Sequence, residues 1–161
     1  MENRFFDVNK SIYLNGLYIL VLLKNLEKSI EMEKLLIGFY FMKYPKVLVD
    51  VAERYKIKIN ENCFQEYDLD NIETNMLKFS MRIHTEGLYD ALSYLYSKDI
   101  ISYSGSEDGV SKSLQFGKVD FLQVPEYLIE AGVSVIKVIE VVGVPKLKES
   151  INDLERVYYE Q

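Results

Sequence analysis

Very few side chains in this chain could carry nucleophilic or metal chemistry. There is one histidine, His84, and one cysteine, Cys63. A serine or cysteine nucleophile needs an activating base, and structural zinc needs several convergent ligands. His84 and Cys63 supply neither. His84 reads as an ordinary helix-end residue, and Cys63, between Asn62 and Phe64, as a partly buried small hydrophobe. The run Ser104-Gly105-Ser106-Glu107-Asp108-Gly109 spaces oxygen side chains somewhat as a calcium loop does. Serine stands where the first acid belongs, however, and Gln115 where the bidentate glutamate belongs. A hairpin turn explains the run better. No Walker-type Gly-Lys-Ser/Thr sequence exists to cradle nucleotide phosphates. The carboxylate pairs Asp68 with Asp70 and Glu31 with Glu33 could in principle divide acid and base roles. Helix-start electrostatics accounts for them more simply. The expectation is a non-enzymatic chain without cofactor or metal.

The elements that surround these residues are those of a folded protein. At 161 residues the chain can bury a sizeable core, and its 48% hydrophobic, 27% charged and 13% aromatic content argues against disorder. A single cysteine permits no intrachain disulfide, and the start Met1-Glu2-Asn3-Arg4-Phe5-Phe6-Asp7 has no signal-peptide pattern. A cytoplasmic protein is expected. The apolar stretch Leu17 to Leu23 is followed at once by Lys24, well short of the roughly 20 apolar residues that span a bilayer, so no membrane association is expected. The net charge of −6 is unevenly placed: residues 1–60 carry 10 basic and 7 acidic side chains, residues 61–161 carry 9 and 18. An acidic domain repels phosphate, so tight autonomous DNA binding is disfavoured.

The periodicity predicts a mainly α protein: a helical bundle with a winged-helix-like unit and C-terminal helices, in a single domain of three parts, 1–67, 68–117 and 118–161. A first helix runs from about Asn9 to Leu26, capped by Ser11 or Asn9. A second begins near Ser29 and is stopped by Pro45, its apolar run Leu35 to Met42 implying burial on several sides. Val47, Val51 and Tyr55 mark a third helix over Lys46 to Tyr55. Ile57 to Tyr67 is a connection, after which Asp68 or Asp70 caps a long helix through about His84, striped by Ile72, Met76, Phe79 and Ile83. The winged unit follows: a helix over Glu86 to Lys98 with Leu88, Leu92 and Leu95 on one face, then strands Ile100 to Ser104 and Val110 to Phe116. Ile101, Tyr103, Leu114 and Phe116 alternate there. Val119 to Val144 reads as a helix with a narrow wet stripe of Glu126, Glu130, Ser134, Lys137 and Glu140, ended by Gly143. Leu147, Ile151, Leu154 and Tyr158 mark the last helix.

A winged-helix unit reads DNA with the helix before the wing. Here that helix offers Tyr89, Ser93, Tyr94 and Tyr96 with Glu86, Asp90 and Asp99 against Lys98, whereas base-reading helices present Arg, Lys, Asn or Gln. Tyrosine-rich, charge-poor exposure is the composition of a protein interface. Lys98, Lys112 and Lys118 are the candidates for weak phosphate contact. Val133 to Val144 is apolar enough to require cover, either from the last helix or from another chain.

Lys10-Ser11-Ile12-Tyr13-Leu14-Asn15 through Leu22-Leu23, the apolar second helix ending at Tyr44-Pro45, and the segment closing in Val142-Gly143-Val144-Pro145 resemble the small middle components of three-component ABC-ATPase systems. That family includes the small subunit of Lamassu-type antiphage defence. Tyr127, Leu128 and Ile129 stand where the family often carries tryptophan. The resemblance implies a non-catalytic accessory subunit of an SMC- or Rad50-like coiled-coil ATPase, with an effector nuclease as a further partner and DNA reached only weakly or through the complex. Its expected partner-facing residues are Tyr89, Tyr96, Val135, Ile139, Val142, Val144 and Leu147. The alternative is a winged-helix transcriptional regulator that binds DNA as a homodimer.

Overall fold

A computed structural model describes residues 11–64, 81–104 and 109–159. The first helix, α1 (Ile12–Lys24), starts where Ser11 Oγ accepts the Leu14 N–H at 3.3 Å, which settles its cap in favour of Ser11 over Asn9. A two-residue strand, β1 (Ile30–Glu31), leads directly into α2 (Met32–Lys43). The second helix therefore begins later than Ser29, because Ile30 and Glu31 pair with Val110 and Gly109 far along the chain. Pro45 opens α3 (Pro45–Arg54), a position where its missing N–H costs nothing. Lys56 takes a left-handed conformation (φ 55°), and the Ile57 N–H reaches back to the Ala52 carbonyl at 2.8 Å to close α3. A short 3-10 turn, Glu61–Cys63, follows. The predicted helix from Asp68 or Asp70 to His84 lies outside the described residues over 65–80.

The helix of the winged unit, α4, spans Met81–Ser97 and takes in His84, so the expected break between His84 and Glu86 is absent. No proline or cap stands there to stop it. It ends at Asp99 (φ 55°), with Ile100 N–H bonded to the Leu95 carbonyl at 3.1 Å. Two strands follow, β2 (Ile101–Ser104) and β3 (Gly109–Lys112), antiparallel, with Ser102 opposite Ser111 and their hydroxyls 2.9 Å apart. The residues of the connecting turn, 105–108, lie outside the described set. The second strand stops at Lys112 rather than Phe116, because Ser113 and Gln115 donate to the carbonyls of Ile100 and Asp99 and bend the chain into the 3-10 turn Phe116–Lys118. This breaks the expected alternation: Leu114 is 87% exposed and Phe116 only 8%.

A second 3-10 turn, Phe121–Gln123, precedes α5 (Glu126–Val142), which ends at Gly143 with φ 83° and ψ 152°, a conformation essentially restricted to glycine. The last helix is α6 (Val144–Tyr159). The sheet order β1-β3-β2, reached through helix, strand, helix and then helix, strand, strand, is winged-helix connectivity, with α3 and its following segment between α2 and α4. The protein is mainly helical, as the periodicity predicts.

The core forms around α2, whose Leu35, Ile37, Phe39, Tyr40 and Phe41 are all fully buried, with α1, α3, α4, α5 and α6 packed about it. Glycines set the closest crossings. A Cβ on Gly132 of α5 would lie 2.5 Å from Val21 Cγ1, and one on Gly38 of α2 3.2 Å from both Ile139 Cδ1 and Leu22 Cδ1. Within Val133 to Val144, Val135, Ile136, Val138 and Ile139 are covered from within the chain, by α1, α2, α3 and α6, while Val133 and Val141 stay exposed.

Candidate docking surface

Of the residues with chemical potential, Cys63, Glu31 and Glu33 are occupied structurally. The Cys63 thiol donates to the Asn60 carbonyl at 2.8 Å, and burial, reinforced by the charge of Glu130, pushes its pKa up to about 11. A thiol held protonated in this way is a poor nucleophile. Of the paired carboxylates, Glu31 meets Lys34 at 2.9 Å and Glu33 meets Lys148 at 2.7 Å, so each is matched by a cation. Asp68 and Asp70 lie outside the described residues. Among the described residues no group of three His, Cys, Asp or Glu side chains is arranged to hold a metal, and no helix is long and apolar enough to cross a membrane. A cleft of about 450 Å³ is lined by Leu26, Ile30, Ile136 and Ile139 together with the ion-paired Glu31 and Lys34.

The three lysines expected to touch phosphate differ in availability. Lys112 Nζ donates to the Leu26 carbonyl at 2.6 Å and lies 5.1 Å from the Phe116 ring centre, so it ties the wing to the end of α1. Lys98 Nζ lies 5.7 Å over the Tyr94 ring at the end of α4. Lys118 is exposed in its 3-10 turn.

The expected partner-facing set divides. Val135, Ile139 and Leu147 are buried in the chain's own core at 2% exposure or less, which corrects their assignment to an interface. The cause is the close approach of α1, α2 and α6 to α5, which uses up the apolar surface that would otherwise seek a partner. Val142 and Val144 are half-buried against the same core. Ser134, expected in the wet stripe of α5, is buried as well, within hydrogen-bonding reach of Cys63. The large hydrophobic residues that α5 does expose are Tyr127, Val133 and Val141.

Tyr89 and Tyr96 hold their place at the surface. They lie seven residues apart, about two turns along one side of α4. Leu88, Ala91, Leu92 and Leu95 anchor the opposite side in the core, and Asn15 from α1 donates to the Gly87 carbonyl at 3.5 Å. The wing adds a third ring. Tyr103 of β2 stacks on Tyr96 with centres 5.2 Å apart and planes inclined at 40°. Exposure of Tyr89, Tyr96 and Tyr103 is 50%, 56% and 45%. Burial, then the proximity of the Tyr96 and Tyr89 phenols, raises the pKa of Tyr103. The three rings therefore form one amphipathic face, each presenting an apolar body and a polar rim. Tyr103 was legible in the sequence only as an alternating strand residue. Its membership of this face follows from the antiparallel return of β2 along α4, and an exposed aromatic on an edge strand next to a helix bearing others was the available signal.

No protein-family model, no curated protein and no solved structure matches this chain. The winged-helix-like arrangement and the tyrosine face therefore rest on the chain's own geometry.

Proposed function

We propose that this chain is a non-catalytic adaptor that docks a larger protein through the face formed by Tyr89, Tyr96 and Tyr103. The observation that carries the reading is the composition of that face. In winged-helix connectivity α4 occupies the place of the helix that reads DNA, and among its described side chains the exposed positions are Tyr89, Asp90, Ser93, Tyr96 and Ser97. Phosphate contact calls for arginine and lysine there. Clustered tyrosines instead supply large contact area at low entropic cost, as in protein interfaces. The class of partner comes from the sequence resemblance: an SMC- or Rad50-like ATPase, in a complex directed against foreign DNA, with a nuclease as a further subunit. In this role α4 and the wing give a rigid platform, and the chemistry belongs to the other chains.

The test is affinity purification of the tagged chain from its native cells. Recovery of an SMC- or Rad50-like ATPase in stoichiometric amount, lost when Tyr89, Tyr96 and Tyr103 are all changed to alanine, supports the adaptor. Recovery of the chain alone, together with salt-sensitive duplex binding by the purified protein, would replace this reading with the homodimeric regulator.

A further inference from the structure

We infer that the cleft beside β1 receives an extended segment of a partner protein, which adds to the outer edge of that strand and sets a branched aliphatic side chain against Ile30 and α5. The first support is the direction of the backbone groups. Ser113 N–H donates to the Ile100 carbonyl at 2.9 Å, which makes Ile100 and Ser113 a hydrogen-bonded pair of the β2–β3 ladder. Such pairs alternate along antiparallel strands, so the next are Ser102 with Ser111 and Ser104 with Gly109. Val110 falls between them and turns its N–H and carbonyl the other way, towards its partner Ile30 in β1. A trans peptide sets its carbonyl and N–H on opposite sides, and the described residues include no cis peptide. The Ser29 carbonyl, opposed to the Ile30 N–H, and the Glu31 N–H, opposed to the Ile30 carbonyl, therefore both point away from β3. An acceptor and a donor set on either side of one residue are what a strand edge offers to an added chain.

The cleft supplies the second support, because it opens on that same side of β1. Ser29 and Glu31 are exposed and line it with the buried Ile30, and Ile136 and Ile139 of α5 stand across from them. Its volume of about 450 Å³ lies within the roughly 300–1,000 Å³ of clefts that hold ligands. A residue facing Ile30 from an added strand sends its side chain to the same side as Ile30. There it meets Leu26, Ile136 and Ile139, so an aliphatic residue fits, while its two neighbours point the opposite way. With α5 as the facing wall, the cleft admits one extended chain of a few residues. The edge of a second folded copy is too broad for it. This inference goes beyond the adaptor reading and does not depend on the tyrosine face, which lies on α4 and β2.

The test is titration of the full chain with an acetylated, amidated heptapeptide of threonines around one central isoleucine, followed through the backbone amide resonances. The Glu31 amide is expected to shift saturably and downfield as it gains a hydrogen bond. Aspartate in place of the isoleucine should weaken binding about tenfold or more, through the lost apolar contact. N-methylation of the isoleucine and of the residue after it removes the donors that could reach the Ser29 carbonyl, and should weaken binding about threefold to tenfold. No saturable shift up to millimolar peptide, shifts confined to residues away from β1 and α5, or equal affinity for the N-methylated peptide would each overturn the inference. A Glu31 shift that follows protein concentration without peptide would also overturn it, in favour of pairing between copies. Changing Tyr89, Tyr96 and Tyr103 to alanine should leave the titration as it is, so its failure would remove this inference and leave the adaptor reading standing.

Discussion

Neighbouring helices of nearly equal length, α5 and α6 are held to the protein by opposite means. Seven residues of α5 are buried, from Ala131 to Ile139, and glycines at Gly132 and Gly38 let α1, α2 and α5 approach closely. By contrast α6 buries only Leu147, Ser150 and Ile151 among its described side chains, and its other ties are polar. Tyr40 donates to Glu155 at 3.1 Å, the Tyr55 and Ser150 hydroxyls are 3.0 Å apart, Arg54 meets Asp153 at 2.9 Å, and Lys148 meets Glu33 at 2.7 Å. Exposed ion pairs such as the last two are worth little individually. The difference teaches that the strongly apolar α5 is spent on the chain's own core, whereas the more modestly apolar α4 and the wing keep Tyr89, Tyr96 and Tyr103 exposed.

Ile139→Ala should do the most damage, because it opens a cavity where α5 meets Gly38 of α2. A loss of about 2–5 kcal/mol is expected in chemical denaturation. A loss near zero would mean that α5 is not part of the cooperative core, and the contrast with α6 would fail. Next in size is Gly132→Ala. The added methyl would press on Val21 Cγ1, with the Val21 carbonyl close behind, at a cost of about 1–3 kcal/mol read as a lowered melting temperature.

The smallest effect belongs to α6 and depends on pH. Burial raises the Glu155 carboxyl above its ordinary value of 4.5, against the opposing hydrogen bond from Tyr40. A raised value means that the folded chain holds this proton more tightly than the unfolded one. The stability so contributed is full below the ordinary value and is lost as pH rises through the raised one. Glu155→Gln keeps an oxygen to accept from Tyr40 and removes the titration. Its melting temperature should therefore decline less than that of the unaltered protein between pH 4 and pH 7. An identical decline in both would show that Glu155 does not couple to folding.

Local signals account for much of the fold that was legible beforehand. Ser11 as a cap, Pro45 between two helices, Gly143 at the end of α5 and the three leucines of α4 each act through residues within a turn or two. The misplaced boundaries have non-local causes. β1 is two residues long and exists because Val110 and Gly109 come to pair with it. β3 ends early because the cap of α4 offers its carbonyls to Ser113 and Gln115. Of the candidate site, Tyr89 and Tyr96 were readable from helical spacing, while Tyr103 joins them only through the path of β2. Val135, Ile139 and Leu147 look the same in sequence whether they serve a core or a partner.

By itself the sequence determined the helical character of the chain, most of its helix ends and its lopsided charge, since these depend on backbone preferences and composition that act over a few residues. Tertiary structure decided which apolar faces were closed off and which rings were left open. Burial is a property of what packs against a residue, and here the decisive neighbours lie as far away as Gly38 is from Ile139 and Tyr40 from Glu155.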